Sequence, residues 1–323
     1  MLNLRIFFIF CISAGVFGPF FLVAGDYESA ELCIREKNFS EAVKLYRKAA
    51  EKGHAEAQLK LGGHYYAGHG VARNYAEAAK WFRRSADQGN GQAQSLLGLC
   101  YQRGQGVPQD HAEAVRWFRR SAAGKNVFGQ DMLGVCYERG HGVEKNLAEA
   151  VKWFRKSAEQ GGHFAQYKLG ECYFEGHGVE KNLAEAMKWF RKAAEQGNLH
   201  ALLKMGKCYF NGLGVERDHA EGVKWYRKAA DRGDAGAQTL LGLCYENGDG
   251  VKKDTKEAVK WYRLAADQGH LTAQCLLGNC YFTGAGVPLD RREAMKWFRK
   301  SAEGGFPPAV YAVKKLGTLP EFR

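Results

Sequence analysis

The sequence predicts an all-α protein, an array of helix-turn-helix units with a step of 36 residues. Three observations carry this. All seven tryptophans keep that step, at Trp81, Trp117, Trp153, Trp189, Trp225, Trp261 and Trp297. A glycine, followed three residues later by a tyrosine, keeps it as well, from Gly62 and Tyr65 to Gly278 and Tyr281. A Gly-x-Gly-Val stretch then follows each tyrosine, from Gly68–Val71 to Gly284–Val287. A period held without insertion means one small supersecondary unit repeated, each burying its apolar face on its neighbours. It excludes a single globular domain built around one catalytic cleft.

From the N-terminus, Ile6–Ala24 is apolar, follows Arg5 and ends in Val23-Ala24-Gly25 ahead of Asp26. This reads as a secretory signal over 1–25, cut after Gly25, which makes the chain exported: periplasmic or extracellular in a bacterium. Retention of the run as an uncleaved anchor is the alternative, weakened as a spanning helix by Gly15, Gly18 and Pro19. Residues 26–53 form a short opening unit, with Leu45 where a tryptophan would stand. Seven full units occupy 54–89, 90–125, 126–161, 162–197, 198–233, 234–269 and 270–305. Residues 306–323 start one more first helix at Ala309 but carry Lys314 in place of the glycine, as a capping segment does.

Within the first full unit, helix A is expected over roughly 55–67 and helix B over roughly 75–88. Helix A ends at the Gly-x-Gly because glycine takes the left-handed conformation that terminates a helix. Helix B starts at an Asn or Asp set three residues before a Glu, from Asn38/Glu41 and Asn74/Glu77 to Asp290/Glu293. That spacing predicts a capping box, in which the cap oxygen accepts from an early N–H and the Glu reaches back to the cap's own N–H, worth about 1 kcal/mol per cap. Ala57, Leu61, Gly62 and Tyr65 of helix A, with Ala78, Trp81, Phe82 and Ala86 of helix B, are the expected core.

The run Ala57-Gln58-x-x-Leu61-Gly62-x-x-Tyr65-x-x-Gly68-x-Gly70-Val71, continued by Glu77-Ala78-x-Lys80-Trp81-Phe82-Arg83, resembles the Sel-one-like repeat, a relative of the tetratricopeptide repeat. The resemblance covers 54–305. It implies a right-handed α-solenoid whose A helices line the concave surface, and a monomeric scaffold for a protein or peptide partner. Some secreted members are associated with penicillin binding or β-lactamase activity, which makes a cell-wall enzyme the competing reading. A membrane-tethered structural adaptor is the second competitor. Cysteine-rich members bridge helix A to helix B with two cysteines per unit, whereas this chain has one.

Six of the nine cysteines form one column, Cys100, Cys136, Cys172, Cys208, Cys244 and Cys280. Stacked helices lie about 8–10 Å apart, beyond the roughly 7 Å that a disulfide spans. Buried, unreactive thiols are therefore expected there, while Cys33 and Cys275 have no assigned role. The formal charge of +12 comes largely from helix B, at the columns of Lys80, Arg83 and Arg84, and reads as a solvated outer face. Weak contact with an anionic membrane or cell-wall surface is the partner class this charge allows. Nucleic acid is not expected, because the aromatics of helix B belong to the core and not to a stacking platform.

No catalytic constellation is legible. There is no Walker loop, no His-Glu-x-x-His and no Ser-x-x-Lys, and the Gly-x-Gly turns join two helices. No cofactor or metal is expected. The columns of helix A that vary between units, at 56, 59, 63, 66 and 67, share one stripe. In the middle units that stripe is aromatic: Phe128, then Phe164, Tyr167 and Phe174, then Leu203 and Phe210. Asp131, Glu138, Glu171, Glu175 and Lys207 are expected to rim it. An apolar patch with a polar border is what a peptide-binding groove looks like; the other reading is extra core. The candidate binding residues are thus Phe128, Phe164, Tyr167, Glu171, Phe174, Leu203, Lys207 and Phe210.

Overall fold

The computed structural model describes residues 25–317. The Ile6–Ala24 signal and the end of the capping segment lie outside the described residues. Seventeen α-helices and no strand occur among the described residues, none long and apolar enough to cross a membrane. The chain forms two compact units, Met1–Lys156 and Ser157–Arg323. The first holds α1 (Asp26–Arg35), α2 (Phe39–Glu51), α3 (Ala55–Ala67), α4 (Tyr75–Asp87), α5 (Gly91–Arg103), α6 (His111–Ala123) and α7 (Val127–Arg139). The division falls inside α8 (Leu147–Glu159). The second holds α9 (His163–Glu175), α10 (Leu183–Glu195), α11 (Leu199–Asn211), α12 (His219–Ala230), α13 (Ala235–Asn247), α14 (Thr255–Asp267), α15 (Leu271–Thr283), α16 (Arg291–Glu303) and α17 (Pro307–Leu316). Each is an α-solenoid of helical hairpins in which consecutive helices pack on each other.

Helix A meets helix B most closely at the repeat glycine. A Cβ on Gly98 would stand 2.7 Å from the ring of Phe118, and one on Gly170 would stand 2.6 Å from Phe190. Both rings are fully buried. The two turn glycines do different work. Gly104 ends α5 in the left-handed conformation, φ 66°. Gly106 lies so close to the start of α4 in the preceding repeat that a Cβ would collide with the carbonyl of Tyr75. One glycine thus closes a helix and the other lets two repeats touch.

The capping box forms by half. Asn182 accepts from the Glu185 N–H at 2.9 Å, and the other Asn and Asp caps of the B helices do the same. The glutamate does not reach back. Glu185 pairs with Lys188 at 3.0 Å, and the N–H of Asn182 donates instead to the Tyr173 carbonyl at 2.8 Å. The cap N–H is already taken by helix A of the same hairpin, so the carboxylate turns to the lysine one turn along.

Side chains also bridge repeats. Arg119 donates to the Tyr137 hydroxyl at 3.0 Å and Arg191 to that of Tyr209 at 2.8 Å. Arg83–Tyr101, Arg227–Tyr245 and Arg263–Tyr281 repeat the bond. The column of Gln58 caps the preceding B helix: Gln94 donates to the Ala86 carbonyl at 3.1 Å and Gln238 to that of Ala230 at 3.2 Å. Cys100, Cys136, Cys208, Cys244 and Cys280 are unbridged and buried. Burial pushes the first three thiols up to about 11 and the last two to about 12. Cys275 is buried too, and Cys33 is half-buried against the first core.

Variation at column 59 marks a surface only in part: Tyr167 and Leu203 are half-buried, and the other members are not exposed. Leu59, Ser95, Asp131, Thr239 and Cys275 are buried, so Asp131 is no rim residue. This column faces the start of the next A helix, which varies with it. Ser95 donates to Asn126 at 3.2 Å, and Thr239 sits 2.9 Å from His270 Nδ1. Matched pairs keep the contact while both members change.

Candidate binding face on the A helices

The stripe predicted from the middle repeats falls on α7 in the first unit and on α9 and α11 in the second. On α7, Phe128 and Glu138 are half-buried. In the second unit, Phe164, Tyr167, Glu171, Phe174, Leu203 and Phe210 are half-buried and Lys207 is exposed. None of the aromatics stands out into solvent. Tyr167, Phe174, Leu203 and Phe210 lie against the core that contains Phe190 and Tyr226. They therefore show water one edge and give the core the other.

Each ring is held by identifiable partners. Tyr167 lies 5.8 Å from the ring of Phe190 and donates its hydroxyl to Glu171 at 2.6 Å. Burial, then the bond to Glu171, pushes its phenol above the ordinary value. Phe174 sits 6.1 Å from Phe190. Phe210 stacks on His219, centroids 4.6 Å apart, and lies 5.3 Å from Tyr226. The alanine column of helix B reads Gly222 in this repeat, and a Cβ there would collide with the Phe210 ring. Phe210 is seated in a notch cut for it, so it serves as floor more than as contact.

Two lysines outside the predicted set complete the face. Lys168 pairs with Glu171 at 3.2 Å. Lys204 lies 4.0 Å above the Phe174 ring and 3.9 Å from Glu175. A cation over a ring is worth about 0.5–2 kcal/mol, more as water is removed. Column 60 holds Lys60 in the first full repeat and Leu96, Met132, Leu240 and Leu276 in four others, and the switch from apolar to Lys was the available signal. The result on α9 and α11 is an apolar strip bordered by the matched charges Lys168–Glu171 and Lys204–Glu175, with Lys207 exposed beside it.

The basic columns of helix B are more engaged than a plain solvated face. In the repeat of Trp189, Lys188 pairs with Glu185, Arg191 bonds Tyr209 and Lys192 lies 4.4 Å over the Trp189 ring. Where Leu264 replaces that last cation it is exposed, and Trp261 beneath it is less buried than Trp189. Among the described residues, no group of three or more His, Cys, Asp or Glu is placed to hold a metal ion.

Hairpins docked in register by a fixed packing set, with a variable strip on the A helices, define a helical repeat protein. The Sel1 repeat profile matches residues 32–54, 55–90, 91–126, 127–162, 163–198, 199–234, 235–270 and 271–306, and the chain belongs to the Sel1 repeat family. It is similar to the crystal structure of a protective antigen of uropathogenic Escherichia coli with an SLR fold, 41% identical with a TM-score of 0.78. That alignment covers 85% of this chain and 59% of the antigen, so the chain spans less than two thirds of that protein. A Sel1 repeat protein of Oxalobacter formigenes is 34% identical with a TM-score of 0.74, over 90% of this chain and 86% of that one. No curated protein matches the chain. Sel1 repeat proteins generally act as protein-interaction scaffolds and generally not as enzymes.

Proposed function

We propose that this chain is an exported interaction scaffold that binds an extended protein or peptide segment along α9 and α11. Phe164, Tyr167, Phe174 and Leu203 supply the apolar contact, over a floor that includes Phe210. The observation that carries the reading is the strip itself: half-buried aromatics bordered by Lys168–Glu171 and Lys204–Glu175. Rigid rings already packed from behind lose little entropy when covered, and paired charges at the border add specificity more than affinity. Export rests on the Ile6–Ala24 signal and places the partner outside the cytoplasm.

The test is peptide display on the purified chain. Peptides selected on the wild type are measured against a Phe164→Ser/Phe174→Ser variant with unchanged helicity and against Lys188→Glu on helix B. Binding weakened by about 1.4 kcal/mol or more, a factor of ten, in the first variant only supports the strip. Equal binding by all three chains removes it.

A further inference from the structure

Every other full repeat carries a side chain at the column of Gly63: Leu99, Val135, Glu171, Lys207, Leu243 and Asn279. A Cβ on Gly63 would meet nothing within 4 Å. The missing side chain therefore leaves space and relieves no clash. That space belongs to a hollow of about 240 Å³ on the A helices, lined by Leu59, Lys60, Gly63, His64, His69, Gln92 and Leu96. Leu59 and Leu96 make its apolar lining, and the lysine, the histidines and the glutamine are its polar groups.

The adjacent column changes in the same repeat. His64 stands where the six following repeats carry cysteine. Its Nδ1 lies 2.7 Å from the His69 carbonyl, an oxygen that can only accept, so Nδ1 carries the proton. The rings of Tyr46 and Phe39, 5.5 and 6.4 Å away, back the imidazole. Lys60 is the one lysine or arginine lining the hollow. Its nearest carboxylate, Glu56, is 4.0 Å away, at the limit of an ion pair, and already accepts from Asn90 at 3.1 Å. The ammonium is thus weakly held beside an apolar recess.

We propose that this hollow binds a small aliphatic carboxylate. The apolar body fills the place of the missing side chain between Leu59 and Leu96, and the carboxylate accepts from the Lys60 ammonium and the Gln92 amide. Two sources share this chemistry, a free small acid and the C-terminal residue of a peptide. The site lies on α3 and α5, and the inference stands apart from the strip on α9 and α11.

The test follows the imidazole resonances of His64 and His69 in the full chain during titration with N-acetyl-leucine, N-acetyl-leucinamide and acetyl-Ala-Ala-Leu. The expected result is saturable binding of the acid in the millimolar range, as befits so small a ligand, with the amide weaker by about tenfold or more. Gly63→Leu, which copies the residue at Leu99 and Leu243 and whose Cβ meets nothing within 4 Å, fills the hollow, keeps the melting temperature and loses the response. Lys60→Gln binds acid and amide alike. Tighter binding of the tripeptide assigns the hollow to a peptide C-terminus, and equal binding assigns it to a free acid. No saturable shift, equal shifts from acid and amide in the wild type, or unchanged binding by Gly63→Leu overturns the proposal.

Discussion

Arg191 on α10 donates to the hydroxyl of Tyr209 on α11 at 2.8 Å, eighteen residues along the chain. The bond joins the second helix of one repeat to the first helix of the next, and its equivalents recur in both units. Both side chains are partly in water, which limits what the contact contributes. A double-mutant cycle with Arg191→Met and Tyr209→Phe is expected to give a coupling energy of about 0.5–1 kcal/mol. A coupling near zero in chemical denaturation would show that the column is packing alone.

Tyr262 and Glu246 make a second matched pair, hydroxyl to carboxylate at 2.5 Å. Glu246→Ala leaves a buried hydroxyl without an acceptor and should destabilise by about 1–3 kcal/mol. The double change Glu246→Phe/Tyr262→Phe copies Phe174 with Phe190 from another repeat. It should return the chain to within about 1 kcal/mol of the wild type, as read from urea midpoints.

Two glycines inside A helices should respond oppositely to alanine. Gly98→Ala drives a methyl to 2.7 Å from Phe118 and should cost about 1–3 kcal/mol by overpacking. Gly63→Ala meets nothing within 4 Å and should gain up to about 1 kcal/mol from helix propensity. Thermal melts of the two variants check both signs.

The buried thiols make the fold sensitive to alkali. Cys100, Cys136 and Cys208 are raised from 9.0 to about 11, and Cys244 and Cys280 to about 12. Unfolding lets them ionise near the ordinary value while the folded chain keeps them protonated. Their contribution is therefore complete below about pH 9 and is lost as pH rises toward the folded values. Above that point each removes about 1.4 kcal/mol per pH unit. Urea midpoints taken from about pH 8 to about pH 9.5 stay below the ordinary tyrosine value of about 10. They should fall steeply, and less steeply by one proton's worth in Cys136→Ala.

Most of the fold was legible because packing repeats itself. Gly62, Tyr65, Trp81 and Phe82 sit in one environment in each copy, so the copies act as replicate observations of that environment. The same logic misled at Leu59, Ser95, Asp131, Thr239 and Cys275, buried members of a column whose variability suggested a surface. Ser95 with Asn126 and Thr239 with His270 show buried positions that vary in pairs, which a column read alone conceals. The candidate strip was legible only in outline. That Phe210 lies in a notch depends on Gly222, twelve residues away on another helix. The role of Glu77 was misjudged for a related reason: the competing acceptor for the cap N–H, the Tyr65 carbonyl, belongs to a different helix.

Each Arg–Tyr bond of the Arg191–Tyr209 column runs forward along the chain, from a B helix to the A helix that follows it. Any 36-residue window carries one donor for the repeat ahead and one acceptor for the repeat behind. Duplicating or deleting such a window regenerates the joint without a new interface having to evolve. Unequal recombination can therefore lengthen or shorten this protein by whole repeats, leaving selection to act on the side chains that the added A helices display.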